Sequence, residues 1–331
     1  MASRSSLHGR ISFCFMILSF VWIVVSLVLL TLGAEWLVRG SSSLALRLGV
    51  TPLMVGLTVV AFGTSSPELV VSFKAAMEGL GDVALGNVVG SNLFNVGIIL
   101  GLTALICPIA IKSQIIKVDG PIMIGTALLV PLVLRDGVVT RVEGGALFVG
   151  VIAYTVMNYV LSRRESTAEV KAEFDEGVPA VTKAWWVDLL WIVSGLVVLV
   201  LGSRLLVEHC LVVARAFAVS EAVISLTIIA AGTSMPELAT SVVAALRKQP
   251  DIAIGNVVGS NIFNVLSILG LSSLVTPLAS QGIRDVDLYW MVGLSLLLLP
   301  LMARRLTLRR ADGVLLLGCY GVYLWQLWPK G

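Results

Sequence analysis

Apolar runs of about 17 to 25 residues, broken by charges and by glycine and proline, recur along the chain and predict ten membrane spans. They fall at roughly 11–33, 42–77, 82–106, 118–134, 143–161, 186–208, 219–246, 251–275, 286–303 and 312–328. The second and seventh are too long for one plain crossing. Each contains a Gly-Thr-Ser run followed by proline and glutamate, which predicts a broken or strongly bent helix. The first run is longer than the apolar core of a secretory signal, so it is expected to remain as a span. One long polar segment, Ser162 to Lys183, is expected to be a solvated linker. The predicted organisation is therefore a first unit over 1–161, a linker over 162–185 and a second unit over 186–331.

The polar positions inside these runs are not random. GTSSPEL at Gly63 to Leu69 returns as GTSMPEL at Gly232 to Leu238, and GNVVGSNLFNV at Gly86 to Val96 returns as GNVVGSNIFNV at Gly255 to Val265, both at an offset of 169. An apolar chain repeats leucine and valine by chance, but polar groups in lipid are costly and are not repeated in register without a use. Five crossings separate the two copies, so they enter the bilayer from opposite sides. The expected fold class is an all-α polytopic membrane protein, with ten transmembrane helices in two inverted five-helix repeats and broken helices at a shared polar site.

Composition agrees with this solvent. The chain of 331 residues is 57% hydrophobic and 13% charged, with a mean hydropathy of +0.99. A soluble domain carries about a quarter charged residues. The net charge of +3 is spread over short loops and predicts no nucleic-acid partner. Four isolated cysteines and two histidines offer no zinc or heme site, and there is no phosphate loop for ATP. No cofactor and no obligate protein partner are expected, only membrane lipid and transported ions. On alternate loops of the ten-span layout, Lys and Arg number nine on the N-terminal side and fourteen on the linker side. By the positive-inside rule the linker is cytoplasmic and both termini are extracytoplasmic, in the cell membrane.

In Gly63 to Glu68 a glycine and hydroxyl residues precede Pro67, which starts a helix well and continues one badly. The chain is expected to unwind near Gly63 and restart near Pro67, freeing carbonyls from Ala61 to Thr64 and leaving Glu68 in the first turn of the resumed helix. Ala230, Thr233, Ser234 and Glu237 repeat the arrangement. Carbonyls, hydroxyls and carboxylates are hard oxygen ligands, the set that suits calcium and sodium. Asn87, Ser91 and Asn95 share one helical face by their spacing, as do Asn256, Ser260 and Asn264. Competing structural roles exist. Gly86, Gly90, Gly255 and Gly259 fit close helix packing, Asn87 and Asn256 fit capping as well as ligation, and the glutamates could pair with Lys74 and Arg247. Glu35, Arg39, Arg204 and Glu208 read as structural ion pairs or interfacial side chains.

These paired blocks resemble the alpha repeats of the cation/calcium exchanger superfamily, and most closely its sodium/calcium exchanger-like bacterial branch. The resemblance spans nearly the whole chain. It implies direct calcium ligation by Glu68 and Glu237, helped by the carbonyls of Thr64 and Thr233. It implies sodium sites at Ser65, Ser91, Ser234 and Ser260 with the carbonyls of Ala61 and Ala230, and it leaves Asn87, Asn95, Asn256 and Asn264 lining the site. The position of Asn264 is an aspartate in sodium/calcium exchangers of that family. The function implied is antiport of calcium against sodium by alternating access, with the first and sixth spans sliding past the other eight. Proton-coupled cation antiport, a cation channel and an intramembrane acid/base enzyme using the two glutamates are the alternatives.

Overall fold

The computed structural model describes residues 2–164, 184–217, 230–280 and 282–327, with only the backbone described for 2–17, 164 and 230. The described chain is helical apart from four two-residue strands. The helices are α1 (Ala2–Leu48), α2 (Pro52–Thr64), α3 (Ser66–Met77), α4 (Gly81–Ile106), α5 (Ile115–Val133) and α6 (Arg141–Arg164) in the first part of the chain. In the second part they are α7 (Trp185–Ala216), α8 (Ala230–Thr233), α9 (Met235–Leu246), α10 (Pro250–Val275), α11 (Asp285–Ala303) and α12 (Arg310–Leu327). Among the described residues seven helices (α1 from Leu18, α4 to α7, α10 and α11) are long and apolar enough to cross a membrane, and the bent pair α2 and α3 makes an eighth. The protein is thus an all-α polytopic membrane protein. α12 has 18 residues but carries Arg310, Asp312 and Gln326 at its ends. Residues 165–183 of the expected linker, 219–229 of the expected seventh span and 328 of the tenth lie outside the described residues.

The first boundary is a correction. The sequence places a break between 33 and 42, but α1 runs unbroken through Glu35 and Arg39 to Leu48. The charges do not end the helix because each meets a partner from elsewhere in the chain. Glu35 accepts from Arg247 Nε at 2.7 Å, and the Arg39 guanidinium lies 5.3 Å from the centre of the Trp191 ring. The chain turns instead at Gly49, whose φ of +64° favours glycine. Thr51 then caps α2 by accepting from Met54 N–H at 3.2 Å, with Pro52 in the first turn, where its missing N–H costs nothing. In the same way α7 extends past the expected end at 208 to Ala216, so Arg204 and Glu208 lie inside a helix and not at its end.

The motif segment is a second correction. The chain does not unwind from Gly63 to Pro67. The helix is interrupted at Ser65 alone (φ −79°, ψ 5°), and the axis bends by 48° between α2 and α3. Ser65 N–H still reaches the Ala61 carbonyl at 3.0 Å, and Ser66 Oγ takes the Phe62 carbonyl at 3.0 Å. Pro67 has no N–H to offer the Gly63 carbonyl, which is the physical origin of the break. Ser234 interrupts the second copy with the same backbone angles within about ten degrees (φ −89°, ψ 7°).

α4 and α10 lie at the centre. The whole membrane-length window of α10 is buried inside the protein, against 72% for α4. Gly255 and Gly259 let α10 approach α2 so closely that a Cβ at Gly259 would stand 2.6 Å from the Leu57 carbonyl oxygen. The matching Gly90 has nothing within 4 Å, and the positions equivalent to Leu57 and Ala61, namely 226 and 230, carry no described side chain. Both α4 and α10 pass into π-helical turns at the last asparagine of the repeated block, Asn95–Leu100 and Asn264–Leu269. Two small antiparallel strand pairs tie the loops. β1 (Ile109–Ala110) pairs with β4 (Thr307–Leu308), and β2 (Val138–Val139) with β3 (Leu278–Ala279).

Candidate cation site

The bend at Ser65 brings Glu68 into the protein interior at the first turn of α3, and the bend at Ser234 does so for Glu237 on α9; both carboxylates are 1% exposed. Each is held by the serine of the opposite motif. Ser234 Oγ donates to Glu68 Oε1 at 2.9 Å, and Ser65 Oγ donates to Glu237 Oε1 at 2.9 Å. Ser65 Oγ also lies 3.0 Å from Ser260 Oγ; having one proton, it donates to the carboxylate and accepts from Ser260. Among the described residues neither glutamate pairs with a base. Lys74 lies 3.8 Å from Glu78, and Arg247 is bound to Glu35.

Asn87 and Asn256 do not cap helices. Asn87 Nδ2 donates to the Glu68 carbonyl at 3.0 Å and to Ser72 Oγ at 2.8 Å. Asn256 Nδ2 donates to the Glu237 carbonyl at 3.2 Å and to Ser241 Oγ at 3.0 Å, while its Oδ1 accepts from Thr64 Oγ1 at 3.0 Å. These amides therefore fix the backbone that carries each glutamate. The Ala61 carbonyl accepts from Ser65 N–H at 3.0 Å and faces Thr64 Oγ1 at 3.3 Å, so it is not left free by the bend. Ser91 is buried on α4, while Thr233 ends α8 and Ala230 opens it.

Asn95 and Asn264 are each 1% exposed and are bound by asparagines that the helical-stripe reading passed over. Asn95 Nδ2 donates to Asn261 Oδ1 at 3.0 Å, and Asn264 Nδ2 donates to Asn92 Oδ1 at 2.9 Å. Asn92 and Asn261 stand inside the repeated block, three residues before Asn95 and Asn264. Their repetition in register was the available signal. Among the described residues, four carboxylate and amide oxygens of the repeated motifs are buried with no hydrogen-bond partner, Glu68 Oε2, Glu237 Oε2, Asn95 Oδ1 and Asn264 Oδ1, and so is the Thr233 hydroxyl. An unpartnered buried acceptor costs about 1–3 kcal/mol, and more for a charged one. Carboxylate and amide oxygens are the donors that suit a hard cation. No group of three His, Cys, Asp or Glu side chains that could hold a metal ion occurs among the described residues.

A sequence model described as sodium/calcium exchanger protein matches residues 18–160 and again 187–328. The chain belongs to the sodium/calcium exchanger family. That makes it a membrane transporter and not an enzyme. It is 39% identical to "Putative antiporter CaxA" of Alkalimonas amylolytica over 95% of this chain and 100% of that one. It is 31% identical to "Sodium/calcium exchanger MaX1" of Methanosarcina acetivorans over 92% of this chain and 97% of that one. Its structure is similar to that of the sodium-calcium exchanger NCX_Mj, with a TM-score of 0.80 at 30% identity over 95% of this chain and 100% of that chain. Family membership thus covers both units that carry the motifs.

Proposed function

We propose that this exchanger-family chain is a secondary antiporter that moves calcium against sodium through one site between its two motif pairs. The observation that carries the reading is the set of four buried oxygens without protein partners, on Glu68, Glu237, Asn95 and Asn264. Glu68 and Glu237 are assigned to calcium, with the carbonyls of Thr64 and Thr233. Sodium is assigned to Ser65, Ser91, Ser234 and Ser260 and to the carbonyls of Ala61 and Ala230. A sodium ion at Ala61 has to share a carbonyl that already accepts from Ser65 N–H, and among the described residues no base competes with calcium at Glu237.

The ten-span inverted layout is part of this reading, with units 1–161 and 186–331 on either side of the linker. Its support lies in the strand pairs. β3 is the repeat equivalent of β1, since Ile109 plus the offset of 169 is Leu278, yet β3 pairs with β2 and β1 pairs with β4. β1 and β2 flank α5, which is long enough to cross the membrane, so equivalent loops belong to opposite faces. Both pairings fit an inverted duplication. The hydrogen bonds obey the same exchange, Ser65 to Glu237 and Ser234 to Glu68. Arg47, which reaches Asp188 at 2.8 Å, and Arg163, which reaches the Leu48 carbonyl at 3.3 Å, belong to the linker end, in keeping with a cytoplasmic linker and extracytoplasmic termini.

Proton coupling is the second reading. Asn264 in place of the aspartate typical of sodium/calcium exchangers leaves two carboxylates to balance the cargo, enough for one calcium or two protons. Reconstitution separates the readings. Calcium uptake into proteoliposomes that requires an outward sodium gradient supports the first. Uptake driven by an outward proton gradient and indifferent to sodium replaces it with the second, and uptake that needs neither gradient identifies a channel.

A further inference from the structure

Asparagine has two ends of opposite polarity, and which end faces a cation decides whether it attracts or repels. A carboxylate favours the NH2 end of an amide and a cation favours its oxygen. Asn95 and Asn264 leave their oxygens unpartnered and use their NH2 groups elsewhere. The reason lies two contacts away. Asn264 Nδ2 donates to Asn92 Oδ1, and Asn92 Nδ2 in turn donates to Met291 Sδ at 3.8 Å. Asn95 Nδ2 donates to Asn261 Oδ1, and Asn261 Nδ2 donates to Met123 Sδ at 3.7 Å.

A thioether accepts and cannot donate. It therefore selects the NH2 end of Asn92 and Asn261, which turns their oxygens toward Asn264 and Asn95, which turns the oxygens of those two away from the chain of bonds. All four amides and Met123 are buried, as is Met291. The pattern is written twice in the sequence. Met123 follows Val118-Asp119 and Met291 follows Val286-Asp287 at the same spacing, an offset of 168. Resting on the cation site proposed above, we infer that Met123 and Met291 are positioning residues that set the amide polarity of Asn95 and Asn264 and so the cation affinity of the site.

The test exploits the one residue type for which polarity has no meaning. Leucine keeps the volume of methionine and removes the acceptor. Met291→Leu should raise the half-saturating cation concentration by roughly three- to tenfold, the loss of one modest hydrogen bond passed to the site. Maximal rate should be little changed. In an Asn264→Asp background, where a carboxylate presents oxygen at both ends, Met291→Leu should have no further effect. Met302→Leu, also buried on α11 but with no such contact, should be silent in both backgrounds. An equal loss in both backgrounds would make Met291 a packing residue and overturn the proposal, as would no loss in the wild-type background. Should Met291→Leu fail to fold, Met123→Leu with and without Asn95→Asp makes the same comparison from the other half. Each variant is read twice, by flux in proteoliposomes and by the shift of melting temperature with added calcium or sodium. If wild type binds a cation but does not exchange calcium for sodium, the functional reading fails while the melting comparison still decides the role of methionine.

Discussion

Ser65 donates its hydroxyl to Glu237 at 2.9 Å, across 172 residues of sequence, and its repeat equivalent Ser234 returns the bond to Glu68 at the same distance. Each motif thus completes the other. Neither half holds a finished site, because the serine that steadies each carboxylate arrives from the opposite half. Each carboxylate keeps one oxygen free of protein partners. The reciprocity also means that a change on one bend is felt at the other glutamate.

Glu68→Gln and Glu237→Gln should each lower calcium transport by roughly a hundredfold or more, since an amide keeps the shape and removes a charge that acts at close range in a poorly screened interior. Size-exclusion profiles and melting without cation should stay near wild type. Calcium flux in proteoliposomes at near wild-type rate in either variant would remove that glutamate from the site.

Protons should compete with calcium. Ligand carboxylates must be deprotonated to bind the metal, so binding releases whatever protons the empty site holds, and apparent affinity falls as pH falls. The steepest expected dependence is about tenfold per pH unit for each proton displaced. Isothermal titration in buffers of different ionisation heat measures that proton release directly. An affinity that is flat from mildly acid to mildly alkaline pH would contradict ligation by Glu68 and Glu237.

Close approach of α1 and α7 should be needed for turnover and not for binding. A Cβ at Gly195 would stand 2.7 Å from Leu37 N and 2.8 Å from the Gly33 carbonyl oxygen, and these backbone atoms cannot move aside. Gly195→Val should push the helices apart, cost about 1–3 kcal/mol of stability and slow exchange at least several-fold. Cation-dependent melting shifts should persist, because neither helix carries a proposed ligand. Wild-type turnover in Gly195→Val would show that exchange does not depend on this contact within the sliding pair.

Topology can be read at the strand loops. With the native cysteines replaced, a cysteine at Asp136, beside β2, should react with an impermeant thiol reagent in intact cells, and one at Arg305, beside β4, should not. The reverse pattern would invert the orientation. Labelling of both or of neither would break the ten-span layout.

By itself the sequence determined the membrane solvent, because so apolar a chain has no other place to bury its surface. It also singled out the duplicated block and the two glutamates within it, since polar residues repeated in register inside lipid are costly. The helix ends at Leu48 and Ala216 were not legible, because Glu35 and Arg39 look like loop charges until Arg247 and Trp191 are seen beside them. Nor was the sharpness of the bend legible, since glycine, serine and proline allow an unwound stretch as readily as a break at one residue. The roles of the asparagines were decided only in three dimensions. Asn87, Asn92 and Asn95 are alike in one dimension, but Asn87 holds a backbone carbonyl, Asn92 faces a methionine, and Asn95 keeps a free oxygen. An amide takes its function from the partners at its two ends, and for Asn92 and Asn95 those partners come from helices more than a hundred residues away.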